Sequence, residues 1–243
     1  MKDRFSNHAH QYATFRPHYP KELYDFIFRQ VNSFDLAWDA GTGNGQAAQV
    51  LAKRFRKVLA TDISTKQLEQ AVAMDNITYA VGGETTKLAD HSVDLVTVAQ
   101  AIHWFGRPAF YAEVRRVLKP GGIVAVWVYG LLRISPAVDL LIDDFYTRVV
   151  GPYWDPERKL IDEELRTIEF PFREIAVPAF NMQVEWTLAE LEGYFNTWSA
   201  TQKFIRDQSK NPVSVLMDRI NSIAAVGNLS VTFPLFLRLG KIQ

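Results

Sequence analysis

No cysteine occurs in the 243 residues, which excludes disulfides, a thiolate metal site and a cysteine nucleophile. An excess of charge of either sign is missing as well. Lys plus Arg number 27 and Asp plus Glu number 27, so no net field favours nucleic acid or an anionic membrane, and neither is expected as a partner. Long apolar runs are also lacking. The longest, Ile123 to Leu132, is broken by Gly130 and is too short to cross a bilayer. No apolar signal core follows Met1-Lys2-Asp3-Arg4-Phe5, so a soluble cytoplasmic protein is expected. The five histidines have no ligand-spaced partners, so no metal site is predicted. Internal repeats and low-complexity tracts are absent, and nothing in the sequence speaks to oligomeric state. What is left is a chain of 48% apolar and 22% charged residues, the composition and length of one large globular domain.

The sequence is organised around Trp38-Asp39-Ala40-Gly41-Thr42-Gly43-Asn44-Gly45-Gln46. Leu36 to Trp38 reads as a short buried strand and Gln46 to Phe55 as a helix, so the glycines form the turn between them. Such a turn is expected to present free N–H groups at a helix N-terminus to an anionic or polar ligand. A dinucleotide fingerprint needs a third glycine three places after the second, where this chain has Gln46. The spacing is instead G-x-G-x-G, with Asp39 two residues ahead.

Around this loop the pattern is regular. Residues 1–33 are rich in aromatics and His, with a helix expected over Asn7 to Thr14 and another over Lys21 to Val31; together they read as a lid. Residues 34–130 form the cofactor core. Its later strands are Lys57 to Asp62, Ile77 to Val81, Val93 to Ala99 and Ile123 to Tyr129. Helices are expected over Thr65 to Met74, with Ser64 as N-cap, and from Pro108 to the Leu118-Lys119-Pro120-Gly121-Gly122 turn. Strand and helix alternating five times predict an α/β fold, a doubly wound, Rossmann-like, mostly parallel sheet of seven strands. Residues 131–226 read as helical insertions around the last two strands that build an acceptor pocket. Helices are expected there over Pro136 to Val150, Asp162 to Thr167, Leu188 to Trp198 and Val213 to Ala225, with an edge strand over Met182 to Trp186. Residues 227–243 hold the last strand, Leu229 to Leu239.

In an open α/β sheet the ligand lies beyond the carboxyl ends of the strands. This chain places Asp39, Asp62 with Ile63, Gly82-Gly83-Glu84, Gln100 and Tyr129 at those ends. Asp62 follows Gly41 by 21 positions (62 − 41), where an acid accepts both hydroxyls of a ribose. As an alternative, Asp62 is a surface carboxylate capping the next helix, and Glu84 is a solvated loop acid.

Four segments in order carry a family resemblance: Asp39 to Gly45, Asp62, Ser92-Val93-Asp94-Leu95-Val96 through Ala99-Gln100-Ala101-Ile102-His103-Trp104-Phe105, and Arg116-Val117-Leu118-Lys119-Pro120-Gly121-Gly122. They resemble the class I S-adenosylmethionine-dependent methyltransferases with a type 11 core, over residues 36–129. The His103-Trp104 pair, the opening Tyr12 to Pro20 and the tail from Trp186 to Ala200 are similar to the branch that includes trans-aconitate methyltransferase. The resemblance implies S-adenosylmethionine as cofactor and a small-molecule acceptor, an organic acid in that branch. It implies cofactor contacts from Asp39, Gly41, Thr42, Gly43, Gly45, Asp62, Ile63, Glu84 and Gln100. Arg16 would pair with the carboxylate of the methionine moiety, with Tyr12 or Tyr19 hydrogen-bonding beside it; the alternative is a surface arginine stacked on its aromatic neighbours. The family's G-D-A-E loop is replaced by Val81-Gly82-Gly83-Glu84, so adenine recognition falls to Glu84 or to backbone. His103 is the candidate catalytic residue, as a base for a hydroxyl or amine, as an orienting group for a carboxylate, or bonded only to backbone. The competing functions are a nicotinamide-dependent oxidoreductase, which Gln46 disfavours, and a non-catalytic module that only binds the cofactor.

Overall fold

The computed structural model describes residues 17–223 and 227–242. The first helix, α1 (Lys21–Phe28), turns Leu23, Tyr24, Ile27 and Phe28 inward, one stripe at helical spacing. Leu23 and Ile27 are wholly buried, worth about 2–3 kcal/mol each. The Lys21 to Val31 expectation ends early, in a turn at Arg29 and Gln30.

Five strands then alternate with helices: β1 (Leu36–Ala40), α2 (Gln46–Ala52), β2 (Lys57–Asp62), α3 (Thr65–Leu68), β3 (Ile77–Val81), β4 (Val93–Ala99), α4 (Arg107–Val117) and β5 (Leu118–Tyr129). The remainder comprises α5 (Pro136–Asp144), α6 (Lys159–Asp162), β6 (Arg173–Ile175), β7 (Phe180–Trp186), α7 (Leu188–Asn196), α8 (Ser199–Gln208), α9 (Val213–Ile223) and β8 (Leu229–Lys241). The strand order is β3-β2-β1-β4-β5-β8-β6, with β7 also paired to β8. β1 to β5 run parallel, and β8 lies antiparallel to β5. The expected doubly wound sheet is therefore present. It has eight strands among the described residues because two short segments, β6 and β7, share the far edge of β8.

β4 is apolar almost throughout because both of its faces are covered. Leu95, Ile123 and Trp127 face one core, shared with α1 and α2 and with α5, α7 and α9. Val96, Val98, Val124 and Val126 face the other, under α4. Strand order reverses between β1 and β4, which opens the crevice at their carboxyl ends.

Three expectations are corrected. The helix expected over Thr65 to Met74 stops at Leu68, because Tyr79 Oη takes the Val72 carbonyl at 3.1 Å and Val72 itself is exposed. The helix expected over Asp162 to Thr167 lies earlier, at Lys159–Asp162. There Glu164 and Leu165 take left-handed angles, φ 57° and 59°, and burying Leu165 completely offsets that strain. Finally, α8 was not anticipated. Its polar sequence hides a buried Ala200-Thr201 contact that only packing reveals.

Candidate functional site

The loop after β1 is held by β2. Gly41 N–H and Thr42 N–H both donate to the Thr61 carbonyl, at 2.8 and 2.9 Å. Gly43 N–H donates to Asp62 Oδ2 at 2.9 Å, and Gly45 N–H to the Thr42 carbonyl at 3.0 Å. This corrects the expectation of free loop N–H groups. These four are spent inside the protein because the end of β2 runs alongside the turn. What the glycines supply is shape. Gly41, Gly43 and Gly45 all have positive φ (68°, 58° and 81°), open to glycine at no cost. A Cβ at Gly41 would stand 2.6 Å from Ala101 Cβ, and one at Gly45 would strike the Tyr79 hydroxyl. At Gly43 the nearest atom would be Gln67 Oε1, 3.9 Å away, so this is the glycine whose open side faces the crevice.

Asp39 is completely buried beneath the loop. Its carboxylate accepts from Thr42 Oγ1 (2.5 Å), Thr97 Oγ1 (2.6 Å) and the Ala48 N–H of α2. Burial pushes its pKa up to about 6; those three donors pull it down and nearby Asp62 pushes it up. Asp39 thus joins β1, β4 and α2, fixing the loop from below. Asp62, also buried, uses Oδ2 for Gly43 and Oδ1 for the Ser64 N–H at 2.9 Å. Ile63 beside it packs against Gly83, 3.7 Å from the position of a Cβ there. Glu84 Oε1 accepts the Gly106 N–H at 2.9 Å, anchoring the residue before α4. Tyr12 and Arg16 lie outside the described residues.

Gln100 ends β4 in a left-handed conformation, φ 54°, rare for a residue with a side chain. Its N–H donates to the Trp127 carbonyl at 2.9 Å, while its buried Oε1 has no hydrogen-bond partner among the described residues. Trp127 Nε1 and Tyr24 Oη are likewise buried without one, with the two rings 6.0 Å apart edge to face. Burial and then the charge of Asp39 hold the Tyr24 pKa well above the usual phenol value. Three orphaned polar atoms beside one glycine loop ask for a polar ligand. They match the hydrogen-bonding groups of S-adenosylmethionine, so the residues present fit that cofactor. Tyr24 is the member the sequence concealed, since nothing distinguishes it from an ordinary helix aromatic.

Beyond Gln100 a single 3₁₀ turn, Ile102–Trp104, carries His103. The imidazole is 7% exposed, its centroid 4.6 Å from that of Trp104, and Nδ1 has no partner among the described residues. Burial, with Arg158 adding to it and Asp155 opposing, lowers its pKa to about 3. Arg158 is itself held in place, its guanidinium carbon 4.9 Å from the Trp154 ring centroid and its Nε donating to Tyr146 Oη at 2.8 Å. Asp155 pairs with Lys203 of α8 at 2.8 Å. No sequence signal links positions 155, 158 and 203 to His103, because only the fold brings them together. Trp198 packs against both Tyr146 and Trp154.

Comparison with known proteins agrees with this geometry. The family described as "Methyltransferase domain" matches residues 38–126. A Dictyostelium discoideum protein provisionally named a methyltransferase is 34% identical over 249 residues, covering 98% of this chain and 95% of the relative. A Saccharomyces cerevisiae protein provisionally named an S-adenosylmethionine-dependent methyltransferase is 25% identical, over 90% of this chain and 89% of its own length. The solved structure of a chain from Anaeromyxobacter dehalogenans, provisionally described as a type II methyltransferase, superposes with a TM-score of 0.87. It is 35% identical and covers 94% of this chain and 98% of that one. The chain belongs to the class I S-adenosylmethionine-dependent methyltransferase family, and it is an enzyme of that class. Among the described residues no helix is long and apolar enough to cross a membrane.

Proposed function

We propose that the chain methylates a carboxylate oxygen of a small organic acid, and that His103 orients this acceptor without deprotonating it. When bound, S-adenosylmethionine supplies a methyl group on a positively charged sulfur. The observation that carries the reading is the state of His103: buried, with no partner for Nδ1 among the described residues, and with a pKa of about 3. A ring that holds a proton so poorly is a weak base for a hydroxyl or ammonium acceptor near neutral pH. It remains a good hydrogen-bonding group. A carboxylate is already nucleophilic and needs no base. Arg158 beside the ring adds positive potential that favours an anion. The similarity of His103-Trp104 and of the Trp186 to Ala200 tail to the trans-aconitate methyltransferase branch supports the same acceptor class.

Gly43, Asp62, Gln100, Tyr24 and Trp127 would hold the cofactor, with Asp39 positioning the loop. Residues 131–226 would wall the acceptor and keep water out, leaving the nucleophile poorly solvated and aligned. Glu84 and Ile63 remain the proposed adenine side, and Arg16 with Tyr12 the proposed methionine side. The nicotinamide alternative has no support from the relatives, and Gln46 stands where its third glycine is required.

The test is a panel of carboxylic acids, alcohols and amines, read by S-adenosylhomocysteine release across pH. The expected result is turnover of acids, with kcat/KM flat from about pH 6 to 9 because His103, with a pKa of about 3, does not titrate there. His103→Gln is expected to raise KM more than it lowers kcat. Turnover confined to alcohols or amines, rising through a pKa near that of free histidine and lost in His103→Gln, would overturn the reading.

A further inference from the structure

At the end of the sheet opposite the cofactor loop lies a second cleft, of about 580 Å³, built where β4 and β5 begin and β8 ends. Its lining carries the cations Arg115, Arg173 and Lys241, the imidazole of His91 and no acid. The rest is apolar, from Pro120, Pro171, Phe172 and Ile242. That volume is within the range of small-molecule sites.

Two of the cations oppose each other. Arg173 of β6 and Lys241 of β8 are directly paired residues of an antiparallel ladder, so their side chains leave the same face of the sheet. Like charges in that position destabilise a sheet unless something neutralises them. Among the described residues neither makes an ion pair, although Glu174, one residue along β6, pairs with Arg238, three residues back along β8. At this one rung no described side chain supplies the neutralising group.

Arg115 and His91 are held in place. Arg115 lies with its guanidinium carbon 5.4 Å from the Phe172 ring centroid and donates through Nη2 to the Pro171 carbonyl. Its remaining N–H groups stay available for a forked contact. His91 is fixed by a left-handed backbone, φ 51°, and by Nδ1 lying 3.1 Å from the Leu118 carbonyl. A carbonyl only accepts, so Nδ1 carries the proton and Nε2 is left for a ligand.

We infer that this cleft is a second binding site, separate from the cofactor crevice, for a small phosphorylated molecule with a flat apolar body. Two guanidinium groups and an ammonium with no acid among them match a dianionic phosphate better than a single carboxylate. Phe172, Pro120, Pro171 and Ile242 supply the surface for the apolar part. The site stands independently of which acceptor the enzyme methylates.

The experiment titrates the full chain, saturated with S-adenosylhomocysteine so that the cofactor crevice is filled, with phenyl phosphate, inorganic phosphate, benzoate and a short single-stranded oligonucleotide, read calorimetrically. Phenyl phosphate is expected to bind more tightly than phosphate or benzoate, and to lose at least about tenfold in affinity in Arg173→Gln/Lys241→Gln. Both side chains are partly or fully exposed, and the double variant is expected to fold, to keep its S-adenosylhomocysteine affinity and, without ligand, to melt higher than the parent. Equal binding of all the anions, or a double variant that binds phenyl phosphate as the parent does, would overturn the inference. So would tighter binding of benzoate, or of the oligonucleotide; the latter would make the cleft a nucleic-acid contact. A double variant that melts no higher would remove the repulsion on which the inference rests.

Discussion

Gly43 separates three glycines that look alike in the sequence. Gly41 and Gly45 are needed because protein atoms already stand where a Cβ would go. Gly43 has open space there, and its N–H reaches the carboxylate of Asp62. A valine at Gly43 would block the crevice, but its branched side chain would also strain a backbone at φ 58°. Alanine is the cleaner probe. Gly43→Ala is expected to fold, at a cost of about 1 kcal/mol for the left-handed angle, and to lose at least about tenfold in S-adenosylhomocysteine affinity by titration calorimetry. Retained affinity in the folded variant would displace the cofactor from this loop. Asp39 shows a different distinction. Its place two residues before the glycines invites a ligand contact, yet all its recorded donors are protein groups.

At the scale of elements, what joins the sheet to its loops is a handful of buried carboxylates. Asp94 of β4 accepts the N–H groups of Asp35 and Leu36 at 2.9 and 3.0 Å, the hydroxyl of Ser33, and Lys119 of β5 at 2.7 Å. One side chain thereby registers the starts of three adjacent strands. Burial alone would raise its pKa, but Lys119, Ser33 and the Leu36 N–H outweigh burial and hold it below the usual carboxylate value. A depressed folded-state pKa contributes stability above the unfolded value, near 4, that is lost as pH falls through the lower folded value. Asp94→Ala is expected to cost about 3 kcal/mol at neutral pH, because it leaves the Asp35 and Leu36 N–H groups and the Ser33 hydroxyl without this acceptor and Lys119 with Asp35 alone. Thermal melts of both proteins should converge as pH falls below about 4. A constant gap across that range would assign the cost to packing.

For the whole molecule, the buried polar atoms at Gln100, Trp127 and Tyr24 represent polar burial that no described residue compensates. A ligand that satisfies them binds the folded state alone. S-adenosylhomocysteine at about 100 times its dissociation constant should stabilise the chain by about 2.7 kcal/mol. For a chain of this size that raises Tm by roughly 5–10 °C. Differential scanning calorimetry would measure it, and an unchanged Tm at saturation would sink the assignment of this crevice to the cofactor.

How much of this was legible beforehand divides along a physical line. Local signals sufficed for the alternation of β1 to β5 with their helices, for the turn at Gly41 to Gly45 and for the acid at Asp62. These depend on residues within a few positions of one another: the two-sided apolar run of β4, the glycine spacing, an N-cap at Ser64. The sequence alone thus determined the fold class and, through its resemblance to a family, the cofactor. Only the tertiary structure decided that the loop N–H groups are spent on Thr61 and Asp62, and that His103 is buried against Arg158, 55 positions away (158 − 103). It also decided that Arg173 faces Lys241 across an edge rung. The reason is that burial, pKa and charge pairing are set by neighbours in space, and those neighbours (Thr61 and Asp62 for the loop, Arg158 for His103, Lys241 for Arg173) lie too far along the chain for a local pattern to announce them.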